Sequence, residues 1–172
     1  LGWAAAGTFS WAYVLPYIVA QMLGGFFGAV LVYAFYKDHY DATDDPSTKL
    51  ATFCTIPAIR NYGRNLFCEI LGTVVLVFVI LVLATESNTP EVGMGSLGAF
   101  PVAMLIVALG MSLGGTTGYA INPARDLAPR LAHAILPIRG KGSNDWAYSW
   151  VPVVGPIIGG FLAAGLYCLI CC

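Results

Sequence analysis

Charged residues are scarce in this 172-residue chain, where Asp, Glu, Lys and Arg make up 10% and hydrophobic residues make up 58%. Soluble domains carry roughly 25% charged residues, so the scarcity excludes an ordinary soluble domain and predicts a membrane protein. The net charge of −1 offers no basic surface for nucleic acid. The five cysteines and two histidines lack metal-ligand spacing, so we predict no metal site.

The sequence also shows no recognisable set of catalytic residues. No arrangement of nucleophile, acid and base can be recognised along the chain. We therefore expect neither an enzyme nor a cofactor.

Four apolar stretches are long enough to cross a bilayer, which takes about 20 residues. They are residues 11–36, 65–85, 97–113 and 149–170. A further stretch, 122–136, covers only about 20 Å as a helix and predicts a re-entrant half-helix. The glycine-rich run 110–118 before it predicts non-helical backbone, which is tolerated at membrane depth only where it is buried or lines a cavity.

The half-helix opens with Asn122-Pro123-Ala124, followed by Arg125 and Asp126. Asn is a good N-cap, and Pro suits the first turn because its missing N–H costs nothing there. The positive end of the helix dipole and the Asn122 amide then point at whatever lies in front. An arginine within a membrane segment indicates a functional site.

An internal repeat links the two ends of the chain. Residues 24–29 (GGFFGA) resemble residues 159–164 (GGFLAA), and each stretch has a proline upstream. Such repeats are typical of membrane transport folds. The half-helix precedes the second stretch, and a short apolar segment, residues 1–7, precedes the first. Laying this segment on the half-helix puts Leu1 against Leu127, so residues 1–7 are predicted to be the tail of a second half-helix. We expect that half-helix to begin before Leu1, which makes the chain an N-terminally truncated fragment.

The motif, the half-helix and the repeat together resemble the aquaporin family, specifically its aquaglyceroporin or glycerol-facilitator branch. Residues 118–130, GYAINPARDLAPR, carry most of this resemblance. It implies an all-α membrane protein with an aquaporin-like right-handed bundle, in which two half-helices meet in a pore. The chain would supply helices three to six, the second half-helix and the tail of the first, as one channel domain over 1–172.

The resemblance also implies the lining of the pore. Asn122 would offer its amide NH₂ at the centre, and the carbonyls of Gly118, Tyr119 and Ala120 would form a ladder of acceptors leading to it. Arg125 would narrow the outer mouth and donate hydrogen bonds to solute hydroxyls.

Selectivity would depend on the neighbours of Arg125. Gly110 leaves room where water-selective relatives carry His, and Tyr119 offers an apolar wall. Asp126 marks the glycerol branch and would hold loop N–H groups. Glu69 would brace the backbone of the re-entrant loop.

The implied function is passive passage of glycerol, other small polyols and water through the bilayer, without a cofactor. The resemblance further implies a multi-pass plasma-membrane protein and a homotetramer. Two alternatives remain open at this stage: a water-selective aquaporin and a secondary transporter, which also uses repeats and broken helices.

Overall fold

The computed structural model describes residues 1–85, 88, 91 and 93–171, and the regular structure in these residues is helical. This confirms the predicted all-α class. Short 3₁₀-helices lie at Trp11–Tyr13 and Gly93–Leu97. The α-helices are α1 (Gly2–Ala5), α2 (Val14–Phe35), α3 (Lys37–Ala42), α4 (Pro46–Ala51), α5 (Tyr62–Leu83), α6 (Phe100–Thr117), α7 (Pro123–Ile135) and α8 (Val151–Cys171).

Within the described residues, 4 helices are long and apolar enough to cross a membrane. They are α2 with the 3₁₀ turn before it (25 residues), α5 (22), α6 (18) and α8 (21). Their bounds differ by at most four residues from the predicted 11–36, 65–85, 97–113 and 149–170, and the start at residue 11 is the same. The largest differences are at the start of α5 and at both ends of α6.

Helix α5 begins three residues before the predicted position because of a capping side chain. The Oδ1 atom of Asn61 accepts a hydrogen bond from the N–H of Arg64 at 3.1 Å, which satisfies one of the free N–H groups of the first turn. The polar residues Arg64 and Asn65 therefore belong to the helix. The predicted bounds already include Asn65, but hydropathy alone places Arg64 in the preceding loop.

The prediction of non-helical backbone over 110–118 is wrong, because α6 stays helical through Thr117. Glycine is costly in a helix by only about 1 kcal/mol relative to alanine, and it does not by itself end one. The helix stops at Gly118, whose φ of 81° lies in the left-handed region that favours glycine. The irregular segment is therefore only residues 118–122.

Helix α7 is a half-span, and contacts with its neighbours show its depth. It has 13 residues, with Asn122 and Leu136 of the predicted 122–136 serving as its caps. Ile121, just before it, packs on Gly72 in the middle of α5. At the other end, the hydroxyl of Tyr33, close to the end of α2, donates to the Pro137 carbonyl at 3.3 Å. Helix α7 therefore runs from mid-depth back to the level where α2 ends.

The predicted tail of a half-helix at residues 1–7 contains a single helical turn, α1, which ends before Gly7 at φ 77°. This turn packs on α8, since a Cβ at Gly2 would lie 2.9 Å from the Gly160 carbonyl oxygen. Helix α1 thus occupies a place beside α8 and α5, while α7 packs mainly on α2.

Close packing of α5 and α8 forms the densest part of the bundle. A Cβ at Gly155 would lie 2.6 Å from the Glu69 Cβ, and one at Gly159 would lie 2.6 Å from the Ile70 carbonyl oxygen. These two glycines are four residues apart and lie on one face of α8. Small residues let membrane helices approach until their backbones touch, so α8 bears directly on the part of α5 that carries Glu69.

We predict that Gly159→Ala destabilises the bundle, because the added methyl group has no space against the backbone of α5. Overpacking of this kind costs about 1–3 kcal/mol, which thermal unfolding in detergent can measure. Gly165→Ala is the matched control, since a Cβ there meets nothing within 4 Å. Equal unfolding temperatures for the two variants would show that the contact at Gly159 yields without cost.

Candidate functional site

Residues 118–122 connect α6 to α7 through an unusual backbone. Tyr119 and Ile121 have φ values of 39° and 46°, in the left-handed region that residues other than glycine rarely adopt. Such conformations cost about 1–3 kcal/mol each and persist only where the surroundings hold them. Together with the mid-depth position, they identify this segment as the candidate site.

A buried carboxylate holds the segment in place. The side chain of Glu69 is 1% exposed, and its Oε1 and Oε2 accept hydrogen bonds from the N–H groups of Ala120 at 3.0 Å and Ile121 at 2.9 Å. Hydrogen bonds to a charged acceptor are roughly twice as strong as neutral ones. Glu69 therefore satisfies two backbone donors that no helix can satisfy, and it orients the segment around them.

Three carbonyl groups of the same segment have no hydrogen-bond partner in the described part of the chain. Among the described residues, none donates a hydrogen bond to the carbonyls of Gly118, Tyr119 or Ala120. Backbone carbonyls in folded proteins almost always find a partner. Gly118 and Tyr119 are half-buried, whereas Ala120 is 0% exposed, so only the first two of these carbonyls belong to residues that water or a solute can reach.

Asn122 uses its amide in two directions. Its Oδ1 accepts from the N–H of Ala124 at 2.9 Å and caps α7, and its Nδ2 donates to the Oε1 of Gln21 at 3.0 Å. Both Asn122 and Gln21 are exposed. An NH₂ group has two donors, so the bond to Gln21 fixes the amide while the second donor stays available at the exposed surface.

Arg125 lies in the first turn of α7 and is exposed. Its guanidinium makes no hydrogen bond to any residue in the described part of the chain. A cation at a helix N-terminus is unfavourable, and five N–H donors without an acceptor are available to a ligand.

Asp126 and Arg130 form a buried ion pair one helical turn further on. Both side chains are 0% exposed, and Arg130 Nε donates to Asp126 Oδ1 at 2.9 Å. Asp126 Oδ2 also accepts from the N–H and the hydroxyl of Thr55, at 2.8 and 2.6 Å. Arg130 donates to the carbonyls of Thr55, Asn144 and Asp145 at 2.8–3.0 Å. The pair thereby joins α7 to the loop between α4 and α5 and to the loop between α7 and α8.

Two contacts outside the spanning segments reinforce this connection. Arg60 donates to Asp145 Oδ1 at 2.9 Å and forms a second bond to the other carboxylate oxygen. This hydrogen bonding raises the pKa of Arg60 above its usual value. Lys141 donates to the carbonyls of His133, Ala134 and Leu136 at 2.7–2.9 Å, and a cation at the C-terminal end of a helix is favourable. Neither Thr55 nor Lys141 has a distinctive neighbour in the sequence, so their roles become visible only in the structure.

Gly110 and Tyr119, predicted beside each other, are in contact. A Cβ at Gly110 would lie 3.0 Å from both the Cζ and the hydroxyl oxygen of Tyr119. The Tyr119 ring therefore covers Gly110. The space that we expected Gly110 to leave for a solute holds the hydroxyl end of this ring.

Comparisons with known proteins match this architecture. The family model for the major intrinsic proteins matches residues 1–167. The chain belongs to the major intrinsic protein family. Among its relatives, the "Probable glycerol uptake facilitator protein" of Thermotoga maritima is 55% identical over 167 residues, which cover 97% of this chain and 69% of that protein. The "Glycerol uptake facilitator protein 3" of Lactiplantibacillus plantarum is 52% identical, with 97% and 68% covered.

A solved structure confirms the predicted aquaporin-like bundle. The aquaglyceroporin from Plasmodium falciparum has a TM-score of 0.84 and 28% sequence identity to this chain, and the match covers 99% of this chain and 69% of that one. As a major intrinsic protein, the chain is a multi-pass membrane channel and not an enzyme. Its spanning helices and its half-helix α7 are thus parts of a channel fold.

The site consists of a buried group of residues that hold the backbone and an exposed group that a solute can reach. Glu69 and the pair Asp126–Arg130 are buried and hold the backbone. Asn122 and Arg125 are exposed, and Tyr119 and Gly110 are half-buried. The structure therefore brings all the residues predicted as a site to residues 118–126 or directly against them.

We predict that Glu69→Gln loosens residues 118–122, because the amide keeps one acceptor oxygen and turns an NH₂ group towards a backbone N–H. The loss of one charge-assisted hydrogen bond costs about 1.5–3 kcal/mol. Hydrogen exchange at the Ala120 and Ile121 amides should accelerate accordingly. Asp38→Asn, at an exposed carboxylate, is the control, and unchanged exchange in Glu69→Gln would contradict the bracing role.

Proposed function

We propose that the complete gene product is a passive channel for glycerol and other small uncharged solutes, which also conducts water and excludes ions and protons. The observation that carries this proposal is the one-sided hydrogen bonding of residues 118–121. Glu69 binds the N–H groups of Ala120 and Ile121, while the carbonyls of the half-buried Gly118 and Tyr119 accept no hydrogen bond from any described residue. Both named facilitators are relatives at more than half identity.

A polyol needs both polar and apolar contacts inside a narrow pore, because stripping water from its hydroxyls without replacement costs several kcal/mol, about 2–7 for one group. The carbonyls of the half-buried Gly118 and Tyr119 can accept from solute hydroxyls, and Arg125 can donate to them. The Tyr119 ring offers its face to the carbon backbone. A solute with hydroxyls on one side and carbon on the other fits this lining.

Ions meet a different environment at the same site. The Arg125 guanidinium and the N-terminal end of α7 place positive charge where a cation would pass. The carbonyl oxygens repel anions. Uncharged solutes experience neither penalty, which supports passage without ions.

A secondary transporter needs a group that takes up and releases a coupling ion. Glu69 is the only carboxylate in the described spanning helices α2, α5, α6 and α8. Its two oxygens are already bound by backbone N–H groups, so it is poorly suited to exchange. A water-selective channel is disfavoured by the aromatic Tyr119 and the glycine at position 110.

We further propose a homotetramer in the plasma membrane, in which each protomer has its own pore. The exposed apolar side chains along α2 and α6 support contacts with lipid and with other subunits. Cross-linking in native membranes followed by mass measurement tests the assembly independently of transport.

We expect proteoliposomes containing the complete gene product to swell rapidly in an inward glycerol gradient. The rate should increase linearly with the gradient and should not change when ion gradients are abolished. Empty liposomes are the control. Water flux without glycerol flux would overturn the glycerol proposal, and saturable uptake that requires an ion gradient would support a secondary transporter.

We predict that Arg125→Ala admits larger polyols and cations more readily, with the fold intact, because the Arg125 guanidinium forms no hydrogen bond or ion pair with any described residue. Loss of one charge-assisted hydrogen bond, about 1.5–3 kcal/mol, corresponds to about tenfold or more in relative permeability. Swelling rates for glycerol, ribitol and a sodium salt measure the effect. Arg64→Ala, at an exposed arginine at the start of α5, is the matched control. Unchanged discrimination would place Arg125 away from the constriction.

A further inference from the structure

The Tyr119 ring lies along two glycines of α6, and only one of them, Gly110, is among the predicted site residues. The second is Gly114, where a Cβ would lie 2.7 Å from the Cδ1 and 3.1 Å from the Cε1 of Tyr119. At Gly110 the corresponding atoms are the Cζ and the hydroxyl oxygen. The hydroxyl end of the ring therefore lies over Gly110, and its inner edge lies over Gly114.

The spacing explains why both positions lack a side chain. Residues four apart lie on the same face of a helix, so Gly110 and Gly114 form one flat strip on α6 that is as long as a tyrosine ring. The contact at Gly114 is the closer of the two. The optimal separation of two non-bonded carbon atoms is about 3.5–4.0 Å, so a methyl group at position 114 would displace the ring by about 1 Å.

The backbone of Tyr119 offers little freedom to absorb such a displacement. Its φ of 39° is held between the left-handed Gly118 and the two N–H groups that Glu69 binds. Gly118 itself is close to Thr55, whose Cγ2 would lie 3.4 Å from an added Cβ. The main chain is thus braced on both sides, and the side chain must turn away from α6 towards the exposed side of the site.

We propose that Gly114 is a positioning residue for solute selection: it seats the Tyr119 ring against α6 and thereby sets the width of the path beside Arg125. The inference rests on the proposed function, because it assigns a solute path to this surface. Gly114 does not touch the solute. It acts through the ring, so a larger residue at position 114 should narrow the path for glycerol more than for water.

The neighbouring Gly115 provides a matched control. It lies on the same helix, and a Cβ there meets nothing within 4 Å. Gly114→Ala and Gly115→Ala raise helix propensity equally, so any difference between them comes from the contact with Tyr119. We expect Gly114→Ala to lower the ratio of glycerol to water permeability several-fold in proteoliposomes, and Gly115→Ala to leave the ratio unchanged.

A double-mutant cycle tests whether the effect passes through the ring. In a Tyr119→Ala background, Gly114→Ala should no longer change the permeability ratio. If it changes the ratio as much as it does in the wild type, or if Gly114→Ala has no effect in the wild type, the inference is overturned. Should Gly114→Ala fail to fold, Tyr119→Ala must restore folding, and failure to restore it overturns the inference as well.

A spectroscopic measurement separates this inference from the proposed function. In protein labelled with fluorotyrosine, the ¹⁹F signal of residue 119 is assigned by its loss in Tyr119→Phe. Gly114→Ala should shift this signal and Gly115→Ala should not, whichever solute the channel conducts. A wild-type protein that passes no glycerol would overturn the proposed function, while an unmoved ¹⁹F signal would overturn the seating of Tyr119 by Gly114.

Discussion

Backbone N–H and C=O groups at membrane depth must find partners within the protein or in a water-filled cavity, and this constraint organises the structure. Residues 118–122 leave the helical pattern in the middle of the bundle, so their donors need an acceptor from elsewhere. Glu69 supplies it through two hydrogen bonds to Ala120 and Ile121. The glycine contact of α8 at Gly155 lies directly behind Glu69, so the tightest packing in the bundle supports the residue that holds the site.

Glu69 binds the N–H groups of Ala120 and Ile121. The carbonyls of Gly118 and Tyr119 accept no hydrogen bond from any described residue. Helix α7 shows a similar division: Asp126 and Arg130 are buried and bound to each other, while Arg125 is exposed. An unpaired buried charge would be strongly destabilising, by about 3–5 kcal/mol, which explains the many partners of Arg130. Rigid support behind the backbone and unsatisfied groups in front of it are what a selective pore requires.

Sequence patterns predicted the existence of the helices better than their ends. Long apolar stretches mark α2, α5, α6 and α8 clearly, since composition alone determines whether a segment can lie in lipid. The end of α6 was mispredicted because glycines at 110, 114 and 115 look like a loop. In the structure these glycines remain helical, and two of them, Gly110 and Gly114, contact the ring of Tyr119. That reason is not visible without the position of Tyr119, which its left-handed backbone sets.

The sequence by itself determined that the chain spans a membrane, that a half-helix begins at Asn122, and which family it belongs to, because hydropathy, capping chemistry and the motif through Asp126 are local properties. Tertiary structure alone decided what those residues contact. Glu69 lies 51 residues before the Ala120 N–H that it binds, and Thr55 lies 71 residues before Asp126. Such pairs depend on how the helices pack, and packing is set by the whole bundle at once. That packing also determines which carbonyls of residues 118–120 no described residue binds, the exposure of Arg125, and the position of the Tyr119 ring against α6.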